Sequence, residues 1–103
     1  MPEYQNITED HMDLLHIIER DSLASQRQIA TNTGLSIGKV NYIIKSLIDI
    51  GFIKINRFNK SNKKSAYAYL LTPKGIREKA AITKHFITKK QREYDKLKSY
   101  ISK

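Results

Sequence analysis

A mainly α-helical fold with one small β-hairpin, closed by a long C-terminal helix, is what this 103-residue sequence predicts. Three observations lead there. Ser25 to Gly51 reads as two short amphipathic helices joined at a glycine, two isoleucine- and aromatic-rich runs follow on either side of a basic polar segment, and no helix breaker occurs from Ile76 to Ile101.

The central stretch has the grammar of a helix-turn-helix. Ser25 and Gln28 stand at the spacing of a capping box, which satisfies orphan amides at a helix start. Gly34 can adopt the positive φ that reverses the chain, and Ser36 can cap the helix after it. Ala30, four residues before the glycine, permits a close helix crossing that Val40 and Ile43 would close. On the second helix Val40, Ile43, Ile44, Leu47, Ile48 and Ile50 form one apolar face, and Gly38, Lys39, Asn41, Tyr42, Lys45 and Ser46 form the other. The polar face carries no acid before Asp49. A helix of this kind suits a DNA major groove: its N-terminal amides favour phosphate, lysines add positive charge, and asparagine can pair with an adenine edge.

Charge is placed unevenly. The first 24 residues hold six acids (Glu3, Glu9, Asp10, Asp13, Glu19, Asp21) against one base (Arg20), whereas the rest of the chain carries 18 bases against four acids. The formal net charge of +9 therefore points the central and C-terminal parts at a polyanion and turns the N-terminal element away from it. No cysteine is present, so neither a disulfide framework nor a thiolate zinc site is expected, and a cytoplasmic location is consistent with that. No apolar run approaches the ~20 residues of a membrane span, and a membrane is not an expected partner.

Thr8 to Asp21 begins with a cap and two acids and sets Leu14, Leu15, Ile17 and Ile18 at helical spacing, which makes it a third helix backing the central pair. His11 and His16 lie five apart without further ligands and read as solvated side chains, so no metal or other cofactor is expected. Ser22 to Ala24 fits a brief strand. Phe52 to Phe58 and Ser65 to Leu71 read as a hairpin, with Ile53 and Ile55 sharing a buried face and Tyr67, Tyr69 and Leu71 sharing one on the return. Its tip offers Lys60, Lys63 and Lys64, with Arg57 just inside, to a backbone or minor groove.

Thr72 and Pro73 open the last helix as cap and first helical residue. Its four-and-three spacing picks out Ile76, Ala80, Thr83, Ile87, Lys90, Tyr94, Leu97 and Ile101 as a seam, with Phe86 and Tyr100 widening one side. Ile87, Tyr94, Leu97 and Ile101 lie far along it and are expected to pair with a second copy in a coiled coil, with Lys90 interrupting the seam. The expected division is residues 1–72 as a DNA-binding unit and 73–103 as a dimerisation helix.

Together these elements make a winged helix, and LSIGKVNYIIKSLIDIGFI with YLLTPKG resembles the recognition helix, following strand and strand-to-helix junction of bacterial MarR-type transcriptional regulators, over roughly residues 14–80. More narrowly, the chain is similar to the short MarR-like regulators found with exopolysaccharide gene clusters. PadR-like regulators, which also dimerise through a C-terminal helix, are the neighbouring family. The resemblance implies a homodimer on double-stranded DNA with a pseudo-palindromic operator. It implies Ser36, Gly38, Lys39, Asn41, Tyr42 and Lys45 at the groove, with Arg57 and the wing lysines nearby; Ser25 and Arg27 complete the candidate DNA contacts. Two features do not carry over: the wing lacks the family's Asp-x-Arg pairing, and typical members run longer at both ends, where they build their dimer and ligand cavity, so a small-molecule effector is left open. A winged-helix adaptor that binds protein rather than DNA is the alternative, and the basic, asparagine-bearing face favours DNA over it. No nucleophile with a base, phosphate-binding loop or ligand cluster suggests an enzyme.

Overall fold

The computed structural model describes residues 6–60 and 64–101. Four helices and one hairpin follow in the order α1 (Glu9–Arg20), α2 (Gln26–Thr33), α3 (Ile37–Asp49), β1 (Ile53–Lys60), β2 (Lys64–Leu71) and α4 (Pro73–Ser99). Each helix start is set by a hydroxyl that accepts from an amide of the first turn: Thr8, Ser25, Ser36 and Thr72 are the four caps. Gly34 ends α2 in the left-handed region at φ 78°, which allows α3 to start two residues later.

The apolar stripes of α1, α2 and α3 meet in one core. Leu14, Leu15 and Ile18 pack with Ile29 and Ala30 and with Val40, Ile43, Ile44 and Leu47, and Phe52, Ile53 and Tyr69 bring in the base of the hairpin. Ile48 and Ile50, placed by periodicity on the same face, are half-buried at its margin. β1 and β2 are antiparallel with Ile53 opposite Leu71 and Arg57 opposite Tyr67. Residues 53, 55, 67, 69 and 71 therefore share a face as the pattern predicts, yet only its base is covered: Ile53 and Tyr69 are buried while Ile55 and Tyr67 are exposed. The hairpin runs past the end of the helical core, so its outer half has nothing to pack against. Residues 22–23 form a turn, and the segment to Ala24 is not the expected strand; the Tyr69 amide donates to the Ser22 carbonyl at 2.9 Å, and that one bond is all the pairing with the hairpin that the segment makes among the described residues.

α4 has two apolar faces, of which sequence spacing finds one. Ile82, absent from the predicted seam, is fully buried, and Phe86 packs beside it on the core. The 27-residue helix then leaves the domain, giving a molecule 67 × 26 × 20 Å in extent. Ion pairs fasten it to α1 at two places among the described residues, Lys79 to Glu19 at 2.5 Å and, further along, Lys90 to Glu9 at 2.9 Å. Lys90 thus turns toward α1, where the seam reading set it at the centre of a coiled coil. The Lys79 hydrogen bond also holds the Glu19 carboxyl below its ordinary range. Part of the basic charge is consequently spent on the acidic first helix.

His11 is buried, contrary to the expectation of a solvated ring. Its Nδ1 accepts from the Thr8 amide at 3.1 Å and completes the α1 capping box, so the neutral ring carries its proton on Nε2, which is buried without a hydrogen-bond partner among the described residues. Burial, and then the nearby Lys39 charge, lower its pKa below the ordinary value of 6.5, with Asp10 opposing them. Because the folded value is depressed, the unfolded chain binds more protons below 6.5, and the stability contributed by neutral His11 is lost as pH falls through that value toward the folded one. Urea unfolding between pH 7 and 5.5 should therefore show stability declining with acid, by at most about 1.4 kcal/mol per pH unit for one proton. His11→Gln keeps a capping-box residue at the site and should flatten that decline; an unchanged slope in the variant would assign the effect elsewhere.

Candidate nucleic-acid interface

The outward face of α3 carries Ser36, Gly38, Lys39, Tyr42 and Lys45, all exposed, with Tyr42 at 65%. Burial of Val40, Ile43, Ile44 and Leu47 fixes the helix rotation, so this face cannot turn inward without exposing the core. Ser36 is occupied as a cap, its Oγ accepting from the Lys39 amide at 3.0 Å, but its hydroxyl hydrogen remains to be donated. Ser25 stands in the same situation at the head of α2, accepting from the Gln28 amide at 3.1 Å, and Arg27 follows it in the open. The Ile37 side chain, half out in solvent at 46%, adds an apolar contact to the face that the charge pattern had not picked out.

Asn41 differs from its neighbours. It is half-buried, and its Nδ2 donates to Gln26 Oε1 at 3.3 Å, while Gln26 Nε2 donates to the Tyr69 hydroxyl at 3.1 Å. One chain of hydrogen bonds thus ties the recognition-type helix to the start of α2 and to strand β2. The partners are 15 and 43 residues apart, so nothing in local spacing could have announced them.

On the hairpin, the Arg57 guanidinium lies 5.1 Å from the centre of the Tyr67 ring directly across the ladder, a cation–π contact that holds the charge on the exposed half of that face. Lys63 and the side chains of Lys60 and Lys64 lie outside the described residues. The four residues singled out for pairing with a second copy are all exposed: Ile87 at 62%, Tyr94 at 58%, Leu97 at 63% and Ile101 at 84%. An apolar groove lined by Met12, Phe86, Ile87 and Tyr94 runs between α1 and α4 beside the Glu9–Lys90 pair. No group of acids and histidines that could hold a metal occurs among the described residues, and no helix is long and apolar enough to cross a membrane.

The family described as winged helix-turn-helix DNA-binding matches residues 11–54, which takes in α1, α2, α3 and the start of β1. No curated protein matches the chain. Among solved structures, a MarR/EmrR family transcriptional regulator from Acinetobacter sp. ADP1 superposes with a TM-score of 0.64 at 22% identity, over 89% of this chain and 63% of that one. MarR gives 0.65 at 22% identity over 94% and 66%, and Streptococcus pneumoniae FabT, in a structure with DNA, gives 0.63 at 15% identity over 89% and 63%. The fold is that of a winged helix with a C-terminal helix, as found in MarR-like proteins, and the chain spans less than two thirds of the length of the first of these structures.

Proposed function

We propose that this protein is a MarR-type transcriptional regulator that binds double-stranded DNA in a sequence-specific manner as a homodimer. The observation that carries the reading is the exposed face of α3, where Lys39, Tyr42 and Lys45 stand clear of the core, with the wing Arg57 also exposed. A helix of that composition matches major-groove chemistry, and a wing beside it matches the adjacent backbone. Ser25, Arg27, Ser36, Gly38 and Asn41 complete the groove contacts, and Lys60, Lys63 and Lys64 add phosphate contacts from the wing. Residues 1–72 form the DNA-binding unit, and 73–103 supply the helix through which two copies pair by Ile87, Tyr94, Leu97 and Ile101. The sequence resemblance extends the reading to exopolysaccharide genes as targets and to the cytoplasm as location; it gives the protein no catalytic role.

Fluorescence titration of duplex DNA at a series of salt concentrations tests the reading. The logarithm of the affinity should fall linearly with that of the salt concentration, by about 0.9 per phosphate neutralised. Asn41→Ala should cost roughly 1–3 kcal/mol on a preferred duplex and far less on a random one. Salt-independent association, or identical affinity for all duplexes, would overturn the reading and leave α3 as a docking face for another protein.

A further inference from the structure

We infer that Gln26 and Tyr69 are specificity-determining positioning residues, which fix the amide of Asn41 so that it presents one acceptor and one donor to a base edge. The inference rests on the DNA-binding reading above and adds to it the device that would set which base is read. Asparagine can offer a groove two different faces. With an acceptor Oδ1 and one N–H of Nδ2 turned outward it complements adenine, whose major-groove edge carries the N7 acceptor and the N6 donor; with both N–H groups outward it complements the two acceptors of guanine. The side-chain amide is nearly symmetric in shape, so packing alone does not choose between them.

Hydrogen bonding couples the choice to two further side chains. Gln26 receives an N–H of Asn41 on Oε1, which leaves Asn41 with its second N–H and with Oδ1, for which no partner exists among the described residues. Gln26 is itself an amide, and its Nε2 donates to the Tyr69 hydroxyl at 3.1 Å, so a half-turn that reversed the polarity would require the hydroxyl to change from acceptor to donor and the Asn41 amide to turn with it; the three groups switch only as a unit. Tyr69 cannot readily move: the residue is 7% exposed in the core cluster, and its amide donates to the Ser22 carbonyl at 2.9 Å. A buried tyrosine thus anchors a half-buried glutamine, which sets the direction of a half-buried asparagine at the edge of the exposed face of α3. The anchor sits on the wing strand, so the base-reading amide is referenced to the wing as well as to its own helix.

The test compares wild type, Gln26→Leu and Tyr69→Phe by affinity measurement on a preferred duplex and on its single-base variants, with melting temperature measured alongside. Tyr69→Phe removes one oxygen and keeps the packed ring. Wild type should discriminate by about 5- to 150-fold at the position read by Asn41, the range expected of one bidentate contact. Both variants should lose most of that discrimination, to below about threefold, while preferences at the other positions and the salt slope persist. A merely structural role would weaken all duplexes alike and could not act at one base pair. Preferences retained at that position in both variants would overturn the positioning role alone. A wild-type protein that shows no preference at any position would overturn the DNA-binding reading and this role with it.

Discussion

Gly75→Ala should destabilise the protein by about 3 kcal/mol, at the upper end of what overpacking costs, although replacing glycine by alanine inside a helix ordinarily gains about 1 kcal/mol. Gly75 lies in the first turn of α4, where the helix meets the corner between α3 and β1 with no space for a side chain. A methyl group there would overlap the Phe52 carbonyl oxygen and come within 2.9 Å of its carbon, both of them backbone atoms. The corner cannot give way cheaply. The Thr72 amide donates to that same Phe52 oxygen at 2.9 Å, the Thr72 hydroxyl donates to the Gly51 carbonyl at 2.5 Å, and Lys74 Nζ donates to the Ile50 carbonyl at 3.0 Å. A melting midpoint lower by more than about 10 °C is expected for a chain of this size. Gly38→Ala provides the control: it is also helical, nothing but the Ser36 hydroxyl comes as near as 4.0 Å, and its effect on stability should be neutral or favourable. Equal melting of the two variants would mean that α4 is not docked on the corner as described.

Leu97→Glu should dissociate the proposed homodimer and lower affinity for a two-half-site duplex by about 10²- to 10⁴-fold, the loss expected when two linked binding units become independent. Leu97 is on the part of α4 beyond Phe86 and is 63% exposed, so the substitution removes no core contact and the domain should melt as before at low concentration. In a paired helix the same position would carry a carboxylate into an apolar interface, where desolvation makes it costly. Sedimentation equilibrium and operator titration read the two consequences. A Leu97→Glu protein that remains a dimer would place the interface elsewhere, for instance along the apolar groove between α1 and α4.

Much of the fold was legible because its signals are local. Thr8, Ser25, Ser36 and Thr72 cap as their spacing predicts, Gly34 turns where a positive φ is needed, and the α3 stripe is buried where periodicity set it. What escaped depends on contacts between distant elements. Ile82 lies off the seam that dominates α4, and only the position of the domain reveals that a second face is used. Ile55 obeys strand alternation but lies beyond the reach of the core, and His11 has the spacing of a surface residue yet is drawn inward as the partner of Thr8 in the α1 capping box. At the candidate interface the exposed side chains of α3 followed from charge and periodicity. The hydrogen bonds that restrain Asn41 did not, since an amide is read from sequence as a group free to point where a ligand requires.

The most direct test is selection of bound sites from random duplexes with the full chain. An inverted repeat is expected, with half-site centres separated by one helical turn, about 34–36 Å, or a multiple of it, and with an adenine at the position that Asn41→Ala relaxes. A pool that shows no enriched sequence after selection would contradict sequence-specific DNA binding, and an enriched site without a repeat would contradict the homodimer.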